Sequence, residues 1–212
     1  NTIVKIVNTL IKTPVNSEDE AFRLKYIDAG IIGAPELATE QATKELIHFA
    51  RISKNGLGYV RSAINETDYD KLEEIRGKLV KYEEISDRIE YEIATFLNSV
   101  STNELSNDTS SMIKAMYKII GELESLGDSG EAISRIISRK NIHKKNFSEG
   151  TIKKLNSMVD LVDEAYDAMI YNLEAIANDT LDNITNAYNA EEKINVMRNN
   201  LRDAEIESIE QN

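Results

Sequence analysis

Both prolines of this 212-residue chain, Pro14 and Pro35, lie before its long periodic segments begin. Proline lacks a backbone N–H and breaks the interior of a helix, so nothing after residue 36 forces a helix to end. Apolar residues recur there at three- and four-residue spacing, the pattern of a helix with one buried stripe. The sequence therefore predicts an all-α protein.

The spacing of the apolar residues predicts five helices. The first covers about 36–64, and the second covers 67–101 with a heptad-like pattern that fits antiparallel, up-down bundle packing. A third helix follows the polar break at 102–108. The fourth and fifth helices are predicted over 152–176 and 181–209.

A basic connector, residues 139–154, separates the third helix from the fourth. The apolar pattern of the first half restarts after it. We therefore predict a leading segment over 1–34, a first three-helix repeat over 35–141 and a second repeat over 142–212. The cations of the connector are expected to complement the dipole of a helix end, with an exposed loop after it.

Acidic clusters support the interpretation as a repeat. Glu191 and Asn195 follow Glu83 and Asp87 by 108 residues, and each pair is four residues apart. The same offset carries the third helix past the end of the sequence, so the second repeat is predicted to lack its third helix. Its uncovered apolar face is expected to pack against the leading segment or against a second copy of the chain, as a homodimer.

Three glycines and two carboxylates share the third helix. Gly121, Gly127 and Gly130 each cost about 1 kcal/mol relative to alanine in a helix interior. A usual reason to accept that cost is the close approach of another backbone or of a ligand. Glu124 and Asp128, four residues apart, lie on one side of the helix within reach of a single cation. The alternative is a solvated acidic face, since 37 acidic residues among 212 give roughly six such pairs by chance.

Composition excludes several classes of function. Asp and Glu total 37 against 25 Lys and Arg, so the net charge of −12 argues against nucleic acid as a partner and favours cations. The absence of cysteine excludes disulfides, thiolate metal sites and a cysteine nucleophile. No apolar run approaches the roughly 20 residues needed to cross a bilayer, and no signal peptide is visible.

The motifs also argue against an enzyme. The sequence contains no glycine-framed serine elbow and no phosphate-cradling glycine loop. Glu45 and His48 form one Glu-x-x-His arrangement, whereas di-iron carboxylate bundles use two copies. The other histidine, His143, lies in the connector. We therefore expect no catalytic residues.

Two three-helix repeats, with Glu83-x-x-x-Asp87 on the second helix and Glu124-Ser-Leu-Gly-Asp128 on the third, resemble the PhoU family of phosphate-homeostasis proteins. The segment 23–46 is similar to the one that joins the last membrane helix of bacterial sodium/phosphate cotransporters to their PhoU-like tail. The resemblance implies tandem PhoU-like three-helix bundles. It also implies a regulatory cytoplasmic domain of a sodium-dependent phosphate transporter, on the cytoplasmic side of the bacterial inner membrane.

The resemblance further implies metal ligands. Glu83, Asp87, Glu124 and Asp128 match a first site that in this family holds a cluster of iron, zinc or other divalent ions. Glu191 and Asn195 match half of a second site, in which asparagine replaces the usual acid.

Partners follow from the same resemblance. The expected partner is the membrane-embedded part of the same transporter, and residues 139–154 are a candidate contact for anionic lipid. Two alternatives stay open. One is a stand-alone PhoU-type adaptor of a phosphate ABC importer or sensor kinase, and the other is a metal-storing carboxylate bundle.

Overall fold

The computed structural model describes residues 24–143 and 145–210, and this part of the chain is helical without a strand. The predicted all-α fold class is therefore confirmed. Most of the predicted leading segment, residues 1–23, lies outside the described residues. A short 3-10 turn, Ala29–Ile31, precedes five long helices. These are α1 (Pro35–Asn65), α2 (Tyr69–Val100), α3 (Asn107–Ile142), α4 (Glu149–Ala177) and α5 (Thr185–Glu210).

Local sequence signals explain where the helices begin. Pro35 occupies the first turn of α1, where its missing N–H has no helical partner to lose. Asp68, Ser106 and Ser148 precede α2, α3 and α4, and the side chain of each accepts a hydrogen bond from the backbone N–H three residues later.

The basic connector is shorter in the structure than in the sequence prediction. Helix α3 continues to Ile142 and α4 begins at Glu149, so most of 139–154 is helical. Arg139 and Lys140 lie in the last turn of α3, where positive charge complements the helix dipole. The predicted contact with anionic lipid stays a prediction.

The predicted start of the fifth helix, at residue 181, is wrong. Helix α4 ends at Ala177, and Asp179 then adopts a left-handed backbone with φ of 54°. The side chain of Asn183 accepts the backbone N–H of Thr185 at 3.0 Å, a turn that sets the start of α5 at that residue. The apolar residues at 181 and 184 continue the spacing of the helix but lie in the loop before it.

Helices α1, α2 and α3 pack pairwise against one another, and short connections make consecutive helices antiparallel. Their apolar stripes meet in two core clusters, and the larger cluster contributes most of the apolar burial that stabilises the fold. Its largest fully buried side chains include Leu46, Phe49, Ile89, Ile93, Leu97, Ile120 and Leu123.

Helix α4 packs on α1, and within the described residues the extensive contacts of α5 are with α4. Tyr166 and Leu173 of α4 belong to the core that the first three helices form. Ala190 is the buried apolar residue of α5. The second half thus contributes two helices, with α1 on the far side of α4. The predicted division into repeats at residue 142 stays a prediction.

Ion pairs run along the contact between α1 and α4. Basic side chains of α1 meet acidic side chains of α4, and all of them are partly exposed. The pairs are Arg51 with Glu174, Lys54 with Asp163 and Asp167, and Arg61 with Asp160. Among the described helices, none is long and apolar enough to span a bilayer.

Candidate metal centre between α2 and α3

Carboxylates of α2 and α3 converge where the two helices pack. Glu83, Asp87 and Asp128 each offer an oxygen, and these three oxygens lie within 4.8 Å of one another. Glu83 is half-buried, whereas Asp87 and Asp128 are exposed. Residues four apart share a helix face, so α2 supplies two of these groups from successive turns. Together with Glu124 they are called the acidic cluster below.

Glu124 borders this group, one turn before Asp128 on α3. Partial burial raises the pKa of its carboxyl, and the negative charge of Asp128 raises it further, followed by those of Glu90 and Asp87. A hydrogen bond from the hydroxyl of Ser125, at 3.3 Å, acts in the opposite direction. All four first-site residues predicted from the sequence therefore lie in one electrostatic neighbourhood.

Gly127 allows the two helices to meet at the cluster. A Cβ at this position would lie 2.9 Å from Ser86 Oγ and 3.9 Å from the Cα of Glu83, so the backbones approach closely. The expected reason for a helical glycine is thus confirmed there. At Gly130 a Cβ would make ordinary contacts, and at Gly121 it would meet open space. The same explanation is wrong for Gly121.

The cluster concentrates negative charge. Burial raises the pKa of Glu83, and the charges of Asp87, Asp128, Glu131 and Glu84 raise it further, in that order. A divalent cation bound among these oxygens would relieve that repulsion. An all-carboxylate set suits hard cations such as calcium, magnesium or manganese. The residues present therefore fit a divalent ion completed by water.

The predicted second site has a different setting. Glu191 is exposed and Asn195 is half-buried on α5, whose extensive contacts within the described part are with α4. In residues 24–143 and 145–210, the one group of three or more convergent acidic or histidine ligands is Glu83, Asp87 and Asp128. Glu191 therefore belongs to no group of three convergent acidic or histidine ligands among the described residues.

A buried carboxylate outside the cluster has a structural partner that the sequence did not reveal. Glu45 of α1 is fully buried, and its Oε2 accepts the backbone N–H groups of Lys25 and Tyr26, both at 2.8 Å. Tyr26 also lies edge-on to the ring of His48. The Glu-x-x-His pair thus faces residues 24–34, which we call the strap, and not the acidic cluster. The sequence signal that could have revealed this contact is the position of Glu45, an acidic residue inside the apolar stripe of α1.

Two further side chains hold the strap. Gln41 accepts the backbone N–H of Asp28 at 2.9 Å, and the amide of Asn103 donates to the carbonyl of Ile32 at 2.9 Å. These contacts join the strap to α1 and to the loop after α2. The segment that leads into the bundle is therefore fixed by polar contacts.

Comparison with protein families, curated proteins and solved structures finds no match for this chain.

Proposed function

We propose that this chain is the regulatory cytoplasmic domain of a bacterial sodium-dependent phosphate transporter. The observation that supports this best is the acidic cluster, because three of the four carboxylates named by the PhoU resemblance, Glu83, Asp87 and Asp128, converge from two helices, and the fourth, Glu124, feels the charges of Asp87 and Asp128. The role is regulatory and not catalytic. The partner is the membrane-embedded part of the transporter, at the cytoplasmic side of the inner membrane.

The proposed mechanism is a metal-linked shift between two arrangements of the bundle. Without a cation, repulsion between Glu83, Asp87 and Asp128 opposes the close packing of α2 on α3. A bound cation removes that repulsion and favours the tightly packed arrangement. The strap packs on the same bundle and leads toward the N-terminus. A rearrangement of the bundle is therefore transmitted through the strap to the membrane-embedded part of the transporter.

Elemental analysis of protein purified without chelator tests the metal part. The wild type is compared with a Glu124→Gln, Asp128→Asn variant and with a Glu192→Gln, Asp203→Asn variant, which removes the same charge from exposed positions of α5 outside both predicted sites. We expect a stoichiometric divalent metal in the wild type and in the α5 control, and its loss in the cluster variant. Equal metal content in all three proteins, or none in the wild type, would contradict a site at the cluster.

A transport assay tests the regulatory part. The purified domain is added to inside-out vesicles that contain a sodium/phosphate carrier without its own tail, and phosphate uptake is measured. We expect uptake to change with the wild type and to change less with the cluster variant. Unchanged carrier uptake, together with binding to a phosphate ABC importer or sensor kinase, would favour the stand-alone adaptor instead.

A further inference from the structure

A cavity of about 240 Å³ lies where α1, α2, α3 and α4 come together. Protein interiors contain few voids larger than a water molecule, and an apolar cavity of about 150 Å³ is enough to hold a benzene ring. Gly56 of α1 and Gly127 and Gly130 of α3 line this cavity, so no side chain enters it from these three positions. The volume therefore suits a guest the size of one substituted ring.

The cavity opens between two helices that do not pack together. Helices α3 and α4 both pack on α1, and the described residues form no extensive contact between them. Leu126 and Ile133 of α3 line this side and are about 40% exposed, at 41% and 39%. Met158 and Val162 of α4, which are half-buried, face them across the opening. A small molecule would thus enter over apolar side chains.

The residues that line the cavity favour an uncharged guest. Every described residue that lines the cavity is uncharged. The free-energy cost of desolvating an ion there would therefore not be offset by an opposite charge. The acidic cluster lies directly behind the wall formed by Ser86 and Gly127, and its negative potential disfavours anions in particular. Inorganic phosphate and carboxylates are therefore unsuitable guests.

One polar pair is available to orient a guest. Ser53 Oγ and Tyr166 OH lie 2.6 Å apart, both residues are buried, and both line the cavity. Two hydroxyls that share one hydrogen bond have a second proton left to donate. Burial raises the pKa of Tyr166, so its hydroxyl stays protonated at neutral pH. The pair can donate one hydrogen bond to an acceptor on the guest.

The geometry points to a binding site for a small, uncharged, largely apolar molecule that carries one hydrogen-bond acceptor. The molecule enters between α3 and α4, fills the space beside Gly130, and accepts a hydrogen bond from the Ser53 and Tyr166 pair. This site is separate from the acidic cluster and does not depend on the transporter proposal. Because Ser86 and Gly127 belong to both walls, an occupant touches the contact between α2 and α3 that assembles the cluster.

Methyl NMR titration of the full chain tests the site with three probes of similar ring size. Acetophenone carries one carbonyl acceptor, ethylbenzene carries none, and benzoate is charged. We expect saturable shifts of the methyls of Val60, Leu79 and Val159 with acetophenone, weaker binding of ethylbenzene, and no shifts with benzoate. The methyls of Val196 on α5 serve as the remote control and should not move. Absence of saturable shifts with acetophenone, or equal binding of benzoate, would overturn the proposal.

Variants locate the site. Gly130→Leu and Val162→Phe each fill the cavity from a different helix. Circular dichroism checks that each variant folds, and one folded variant is enough for the test. We expect a loss of acetophenone affinity of at least tenfold. The Ser53→Ala, Tyr166→Phe variant removes both hydroxyls and should weaken acetophenone about three- to tenfold while leaving ethylbenzene within about twofold. Unchanged affinity in a folded filling variant would place the probe elsewhere, and an equal effect on both probes would exclude the hydrogen bond.

Discussion

Single residues explain how α2 and α3 come close enough to gather carboxylates. Gly127 lies beside Ser86, where even a methyl group would clash, whereas Gly121 on the same helix faces open space. Sequence reasoning identified both glycines as unusual in a helix. It could not separate them, because the residue that approaches Gly127 belongs to another helix.

Replacement of these two glycines should have opposite effects. Gly127→Ala places a Cβ 2.9 Å from Ser86 Oγ, so we expect a net destabilisation of about 1–2 kcal/mol, since overpacking exceeds the gain in helix propensity. Gly121→Ala gains that propensity without a clash, and we expect a stabilisation of about 1 kcal/mol. Urea denaturation followed by circular dichroism measures both. A stabilised Gly127→Ala protein would show that the helices separate at no cost.

Glu45 should make stability depend on pH. Burial raises the pKa of its carboxyl above 4.5, against the smaller opposite effect of the N–H groups of Tyr26 and Lys25. Because the folded-state pKa is above the unfolded one, the stabilising contribution of Glu45 is complete below pH 4.5 and is lost as pH rises through the folded-state pKa.

The comparison with Glu45→Gln isolates this contribution, since glutamine keeps an oxygen for the two strap N–H groups without the ionisable proton. The difference in free energy of unfolding, wild type minus variant, should fall as the pH rises above 4.5. Urea midpoints at a series of pH values measure it. A difference that rises with pH would mean that Glu45 is stabilised as a carboxylate.

At the scale of elements, the helices were predictable and their partners were not. The apolar spacing and the caps at Asp68, Ser106 and Ser148 are local signals, so the bounds of α1 to α4 lie close to their predicted positions. The start of α5 depends on the turn at Asp179 and Asn183, which interrupts an apolar pattern that continues through it.

The ion pairs between α1 and α4 should contribute modestly. Lys54 contacts both Asp163 and Asp167, and its side chain is 25% exposed. Lys54→Met keeps the apolar stem and leaves two carboxylates without their cation, so we expect a loss of about 0.5–1 kcal/mol that shrinks at high salt. Lys114→Met, on the exposed side of α3, is the matched control. Thermal unfolding at low and high salt measures the effect of both substitutions. Equal effects at the two positions would rule out a specific role for the ion pairs between α1 and α4.

At the scale of the whole molecule, the outer side of α4 and α5 leaves large side chains in solvent. Tyr171 is 65% exposed, Tyr188 is 63% exposed and Val196 is 54% exposed. Exposed apolar groups of this kind on neighbouring helices favour association. The homodimer expected from the sequence stays a prediction, and these exposed side chains are candidates for its interface.

Light scattering over a range of concentrations tests the dimer. We expect a dimer mass for the wild type and a shift toward monomer in Val196→Arg, because a buried guanidinium without a partner opposes association. Tyr91→Arg, an exposed position on α2, is the control and should leave the mass unchanged. A monomer mass for the wild type at every concentration would exclude the homodimer.

The sequence by itself determined the helical class, the approximate extent of four helices and the pairing of acids one turn apart, because each depends on residues close together in the chain. Tertiary structure alone decided that α4 packs on α1, that Glu45 holds the strap, and that Ser86 meets Gly127 beside the carboxylates. It also decided that a cavity remains among four helices. Periodicity indicates which face of a helix is buried. Which other helix packs against that face depends on how all the helices pack together.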